Sequence, residues 1–158
     1  HPMIAAMNTL DYDAATLGNH EFNFGLEFLL TALAGARFPL VSANVARGAL
    51  AAAPAQDQHL VPPWRMLERT VVDGAGVAHP LRLGVIGFLP PQIMLWDRRH
   101  LEGKVSARDI VATAAALVPE MRDAGCDLVC LGGVPINQHH GFGVATGNLN
   151  GVAQKNPE

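Results

Sequence analysis

Ala14-Ala15-Thr16-Leu17-Gly18-Asn19-His20-Glu21-Phe22-Asn23-Phe24-Gly25 reads as a short buried strand that stops at a glycine and opens into a polar turn. Phe24 to Ala34 then places Phe24, Leu26, Phe28, Leu29, Leu30 and Leu33 as an amphipathic or largely buried helix needs them, with Gly35 as its stop. Pro39-Leu40-Val41-Ser42-Ala43-Asn44 reads as the next strand. Strand, helix and strand in that order predict an α/β layered fold with a mainly parallel sheet, because parallel neighbours need a crossover between them.

Upstream, Pro2 to Leu10 predicts a helix with Met3, Ile4 and Met7 on one face, and Asp11-Tyr12-Asp13 a turn. The first residue is His1, read as a truncation. Downstream, Ala46 to Pro63 is rich in Ala, Pro and Gln and predicts a surface loop. Trp64 to Val72 alternates, Asp73-Gly74-Ala75-Gly76 signals a turn, and Leu81 to Phe88 is apolar, so a β-hairpin feeds a buried strand that ends at Pro90-Pro91. Ser106 with Asp109 three residues on resembles a capping box, which predicts a helix from Ser106 to about Ala124, stopped by Gly125. Asp127 to Leu131 is a further strand. Beyond Leu131 the chain turns Gly- and Asn-rich with no sustained apolar period. Residues 1–131 are therefore read as one domain part and residues 132–158 as an irregular tail.

A length of 158 residues fits one domain or part of one. With 49% apolar and 16% charged residues the chain has material for a core and is not a disordered segment. A net charge of −3 without a basic stripe argues against a nucleic-acid partner. Every apolar run is broken well before the ~20 residues that span a bilayer, and the start lacks the pattern of a secretion signal. Cys126 and Cys130 read as buried free thiols.

Asn19 and His20 are the candidates for chemistry. Asn offers a neutral oxygen to a metal ion, and His a protonatable nitrogen beside it, a pairing suited to phosphate ester hydrolysis. A cap for Asn19 and an incidental loop position for His20 is the alternative. Glu21 either orients His20 from behind or sits as a first-turn acid. Asn23 either caps the following helix or lies beside His20. Trp96, after the apolar run Phe88 to Leu95, either stacks on a base or packs in the core. His139-His140 lacks an acid or cysteine cluster and is not read as a metal site.

Taken with the strand order, these motifs are similar to the metallophosphoesterase domain of the bacterial periplasmic 2′,3′-cyclic-nucleotide 2′-phosphodiesterase/3′-nucleotidases, a branch of the 5′-nucleotidase family. The resemblance rests on residues 1–8, Leu17 to Gly25, Ser42-Ala43-Asn44-Val45, Gly84 to Phe88, Pro91-Gln92-Ile93, Trp96-Asp97, Leu101 to Lys104, Asp109-Ile110-Val111 and Val118 to Met121. It implies a partial layered calcineurin-like sandwich, a small nucleotide substrate, two divalent metal ions bridged by a hydroxide, Asn19 as a metal ligand and His20 near the phosphate as the catalytic residue. Glu21 and Asn23 would support them. The 5′-nucleotidase branch usually has Asp at position 23. Asn23 thus favours cyclic and 3′-nucleotides over the alternative 5′-nucleotidase/UDP-sugar hydrolase branch. The resemblance also implies a periplasmic location.

The departures from the family set further expectations. Its Asp-x-His and Gly-Asp motifs would lie upstream of His1, and its Gly-His-x-His motif and C-terminal nucleotide-binding domain are missing. Gly132-Gly133-Val134 stands where a strand should end in a His ligand. Asn19 alone remains of the usual ligands, which predicts that this chain does not retain the two ions and has little activity in isolation. A non-catalytic remnant or interaction module on the same scaffold is the alternative. The change near Leu131 is expected to mark a shift of reading frame.

Overall fold

The computed structural model describes residues 1–133 and 145–147. Pro2 opens helix α1 (Pro2–Thr9), where its missing N–H is one the first turn leaves unbonded anyway. Strands β1 (Ala15–Thr16) and β2 (Leu40–Val41) pair in parallel, Ala15 with Leu40 and Thr16 with Val41, and helix α2 (Leu26–Leu33) connects them. The expected strand–helix–strand unit is present, with shorter strands than the apolar runs. Helix α2 begins at Leu26, not Phe24, because Gly25 turns the chain with a φ of 87°. That left-handed conformation comes at little steric cost only to glycine.

Strand β3 (Val45–Arg47) follows, and β4 (Trp64–Val72) and β5 (Ala78–Phe88) form the expected hairpin, paired from Trp64–Ile86 to Val72–Ala78. Its turn is set by Asp73, whose Oδ1 accepts the N–H groups of Ala75 and Val77 at 2.9 Å each. Two short helices, α3 (Ile93–Trp96) and α4 (Arg98–Leu101), lead to β6 (Val105–Ala107), which pairs antiparallel with β3. Helix α5 (Ile110–Asp123) starts after Asp109, not at Ser106. Ser106 lies in β6 with its Oγ donating to the Gly48 carbonyl at 2.7 Å, so the cap falls to Asp109, whose Oδ1 accepts from Ala112 N–H at 2.8 Å.

Strand β7 (Leu128–Gly133) joins β5 in parallel. Strand β8 (Ala145–Gly147) adds antiparallel to β7, where composition predicts irregular chain, and the sheet order is β4-β5-β7-β8. The rest of the tail, with His139 and His140, lies outside the described residues. No helix among the described residues is long and apolar enough to cross a membrane. Cys126 and Cys130 are free, and burial pushes both thiols up.

Two glycines bring the layers together. On one face of β5, Ile86 packs with Leu117, Met121 and Val129 under α5. On the other face a Cβ at Gly87 would fall 2.3 Å from both Thr16 Oγ1 and the Val41 carbonyl oxygen, and one at Gly132 would fall 3.2 Å from Thr16 Cγ2. Ala43 N–H donates to the Gly87 carbonyl at 2.6 Å. The β1–β2 layer therefore rests on β5 backbone to backbone and on β7 through the Thr16 side chain, much closer than the ~10 Å of ordinary stacked sheets.

Polar groups hold the segments beside this contact. Asn44 is 1% exposed. Its Nδ2 donates to the carbonyls of Leu89 (2.8 Å) and Arg108 (3.1 Å), and its Oδ1 accepts from Leu89 N–H (3.1 Å). The Ala46–Pro63 segment is more than a surface loop. The Asp57 side chain, 1% exposed, is paired with Arg108 and accepts from Ala51 N–H at 2.8 Å. Burial alone would push the Asp57 carboxyl up. The Arg108 guanidinium and the Ala51 N–H outweigh that and hold it below the usual value.

His59 follows in the same segment with both ring nitrogens buried. Burial holds it below its ordinary 6.5; the Asp57 charge and the Pro54 backbone pull it up, and the Arg108 charge pushes it down. The unfolded chain therefore binds more protons below about pH 6.5, so this contribution to stability is full above that value and is lost as pH falls through it toward the folded value. Asp57 works in a lower window, where stability present above the ordinary 3.8 is lost as pH falls through its depressed folded value. Melting temperatures should thus fall between pH 7.5 and 5.5, and His59→Gln should flatten that slope. An identical slope in the variant would remove His59 as the cause.

Candidate functional site

The polar motif is held between two buried anchors. Leu17 (1% exposed) directly follows β1, and Phe22 (0%) closes a 3-10 turn over His20–Phe22; both belong to a core shared with Leu29, Leu89, Ile93 and Leu101. With three residues per turn, side chains at i and i+3 eclipse. His20 and Asn23 meet accordingly, with Asn23 Nδ2 3.1 Å from His20 Nδ1. Glu21 bonds elsewhere: its Oε2 accepts Gly18 N–H at 2.9 Å, clipping the mouth of the turn.

Asn19 starts the turn, and its side chain makes no capping bond. Its amide is unengaged among the described residues. His20, Glu21 and Asn23 are exposed. Asn23 is not the cap of α2; it ends the 3-10 turn, and Gly25 occupies the cap position.

Other candidates separate. Phe88, Leu89 and Ile93 are core, as packing alone predicts, whereas Trp96 is 48% exposed. His100 is the residue that spacing did not bring to the motif: its Nδ1 lies 3.3 Å from where a Cβ on Gly25 would stand, which closes the motif's end to larger residues. Thr16 over Gly132 shows that the ends of β1 and β7 converge on the same edge. A groove of about 910 Å³ runs along α2 and β4, lined by Leu30, Leu33, Leu40, Val61 and Met66. None of residues 19–23 lines it, so it is a separate apolar seam.

Among the described residues no group of three or more His, Cys, Asp or Glu side chains gathers to hold a metal ion. Asn19 supplies one neutral oxygen, and a dinuclear centre needs several charged donors. The residues of this span do not fit a two-metal site.

No family model matches the sequence. Over 129 residues the chain is 48% identical to the 2′,3′-cyclic-nucleotide 2′-phosphodiesterase/3′-nucleotidase of Salmonella typhimurium and 49% identical to that of Yersinia enterocolitica, covering 82% of this chain and 19% of each relative. The calcineurin-like phosphoesterase YfkN from Bacillus subtilis superposes with a TM-score of 0.76 at 41% identity, over 90% of this chain and 41% of that one. The chain belongs to the 5′-nucleotidase family of calcineurin-like phosphoesterases. As the resemblance implies, its α/β layers are part of that family's sandwich. The chain spans about a fifth of the length of the curated phosphoesterases it matches.

Proposed function

We propose that this span belongs to a phosphoesterase that hydrolyses 2′,3′-cyclic nucleotides and 3′-nucleotides, with His20 at the phosphate. One observation carries the site: a preformed turn presents His20 backed by Asn23 at 3.1 Å, next to the unengaged amide of Asn19. His20 would stabilise charge on the phosphoryl group or protonate the leaving oxygen. Asn19 would offer its oxygen to a divalent ion. Glu21 supports the turn through Gly18, and Asn23 supports the ring. Asn23 is neutral where Asp would place a charge against His20, which favours the cyclic-nucleotide branch over the 5′-nucleotidase branch. The relatives' names support the same substrate class, and a periplasmic location goes with it.

The donors here do not complete a two-metal centre, so we assign this 158-residue chain little turnover of its own. Titration with Mn²⁺ should show no tight binding of two ions, and 2′,3′-cyclic AMP should be hydrolysed at background rate. In a longer polypeptide carrying this span, 2′,3′-cyclic AMP should be preferred to 5′-AMP, and His20→Ala should lower kcat by about a hundredfold or more. Preference for 5′-AMP would move the reading to the other branch. A long polypeptide with neither activity would leave the non-catalytic interaction module, which the missing donor cluster favours.

A further inference from the structure

We infer that Asn23 is a positioning residue that holds His20 in the neutral tautomer with its proton on Nε2. An amide nitrogen only donates. With Asn23 Nδ2 at 3.1 Å, His20 Nδ1 is the acceptor and carries no proton, so the ring's one proton sits on Nε2. Among the described residues no carboxylate bonds the ring, because Glu21, the acid beside it, is turned onto Gly18 N–H. The arrangement is built in: Phe22 at 0% exposure fixes the 3-10 turn that eclipses His20 and Asn23.

An Asp at position 23 would do the opposite. Its carboxylate only accepts, so it would draw the proton to Nδ1 and leave Nε2 bare, as a base. The choice of Asn therefore makes the free nitrogen of His20 a hydrogen-bond donor. On the phosphoesterase reading proposed above, on which only this consequence rests, Nε2–H donates a hydrogen bond to a phosphoryl oxygen without a second proton on the ring, and the ring keeps that proton.

The ring nitrogens of His20 report this directly, in long-range ¹H–¹⁵N correlation spectra of the 158-residue chain. The pH is set near about 9, well above the ordinary histidine range, and the signals are assigned by their loss in His20→Gln. The expected wild-type pattern is a pyrrole-like Nε2 and a pyridine-like Nδ1. Asn23→Ala should lower the Nε2–H to Nδ1–H ratio by about threefold or more, as one neutral hydrogen bond predicts. Asn23→Asp should reverse it. A wild-type ring protonated on Nδ1, or a ratio unchanged in Asn23→Ala, would overturn the inference. A wild-type ring protonated on Nδ1 overturns the inference even if no variant folds, and support for it comes from the change in Asn23→Ala. If the tautomer is as expected and the longer polypeptide hydrolyses no nucleotide, the functional proposal fails and this one stands.

Discussion

Gly87→Ala should unfold this chain or cost it about 3 kcal/mol or more. A methyl group there meets the Val41 carbonyl oxygen and Thr16 Oγ1 at 2.3 Å and the Val41 carbonyl carbon at 2.9 Å. Thr16 can rotate away, but the Val41 carbonyl is backbone of the opposing layer and cannot. Relief would require lifting β1–β2 off β5, which breaks the 2.6 Å bond from Ala43 N–H to the Gly87 carbonyl. Gly74→Ala is the control, since no atom lies within 4 Å of its Cβ position and its φ is not positive. Thermal unfolding followed by circular dichroism compares the two. A Gly87→Ala chain that melts with the wild type would mean that the two layers do not touch at this point.

Arg108→Ala should cost about 3 kcal/mol for a different reason. The substitution strands the Asp57 carboxylate, whose side chain is 1% exposed, with only the Ala51 N–H for a partner. It also removes the bond from Arg108 Nη2 to the Ala51 carbonyl at 2.5 Å. Most of the loss is the penalty for an unpaired buried charge, so adding Asp57→Asn should recover at least about 1 kcal/mol. Arg98→Ala, which breaks an exposed pair with Glu102, should leave the melting temperature unchanged. Equal effects of Arg98→Ala and Arg108→Ala would show that the Asp57 pair is no more than a surface contact.

The elements that local pattern controls were legible in the residues. The hairpin turn at Asp73, the strand–helix–strand unit and α5 each declare themselves within a window of a dozen positions. Boundaries failed where a side chain had a better partner far away, as at Ser106, drawn to Gly48 58 positions back. The residues leave Asn23 open between a helix cap and a place beside His20, because pattern alone does not separate a 3-10 turn from the first turn of a helix. Only the positive φ of Gly25 divides them. The Asp57–Arg108 pair and the bare contact at Gly87 left no local trace, because both arise from the stacking of distant segments. At the site, Asn19 and His20 stood out by residue type. The pairing of His20 with Asn23 and the nearness of His100 needed coordinates.

Asn44 has a consequence for the order in which this protein is made. Its bonding partners are Leu89, 45 positions later, and Arg108, 64 positions later; Asp57 likewise waits 51 positions for Arg108. A ribosome releases the amide and the carboxylate long before the groups that satisfy them. A nascent chain ending short of Arg108 gains little by burying either one, and β3 cannot close over the core without burying Asn44. Folding is thereby tied to the arrival of Arg108, and the apolar strands already made stay exposed, a load for chaperones, until translation passes that residue.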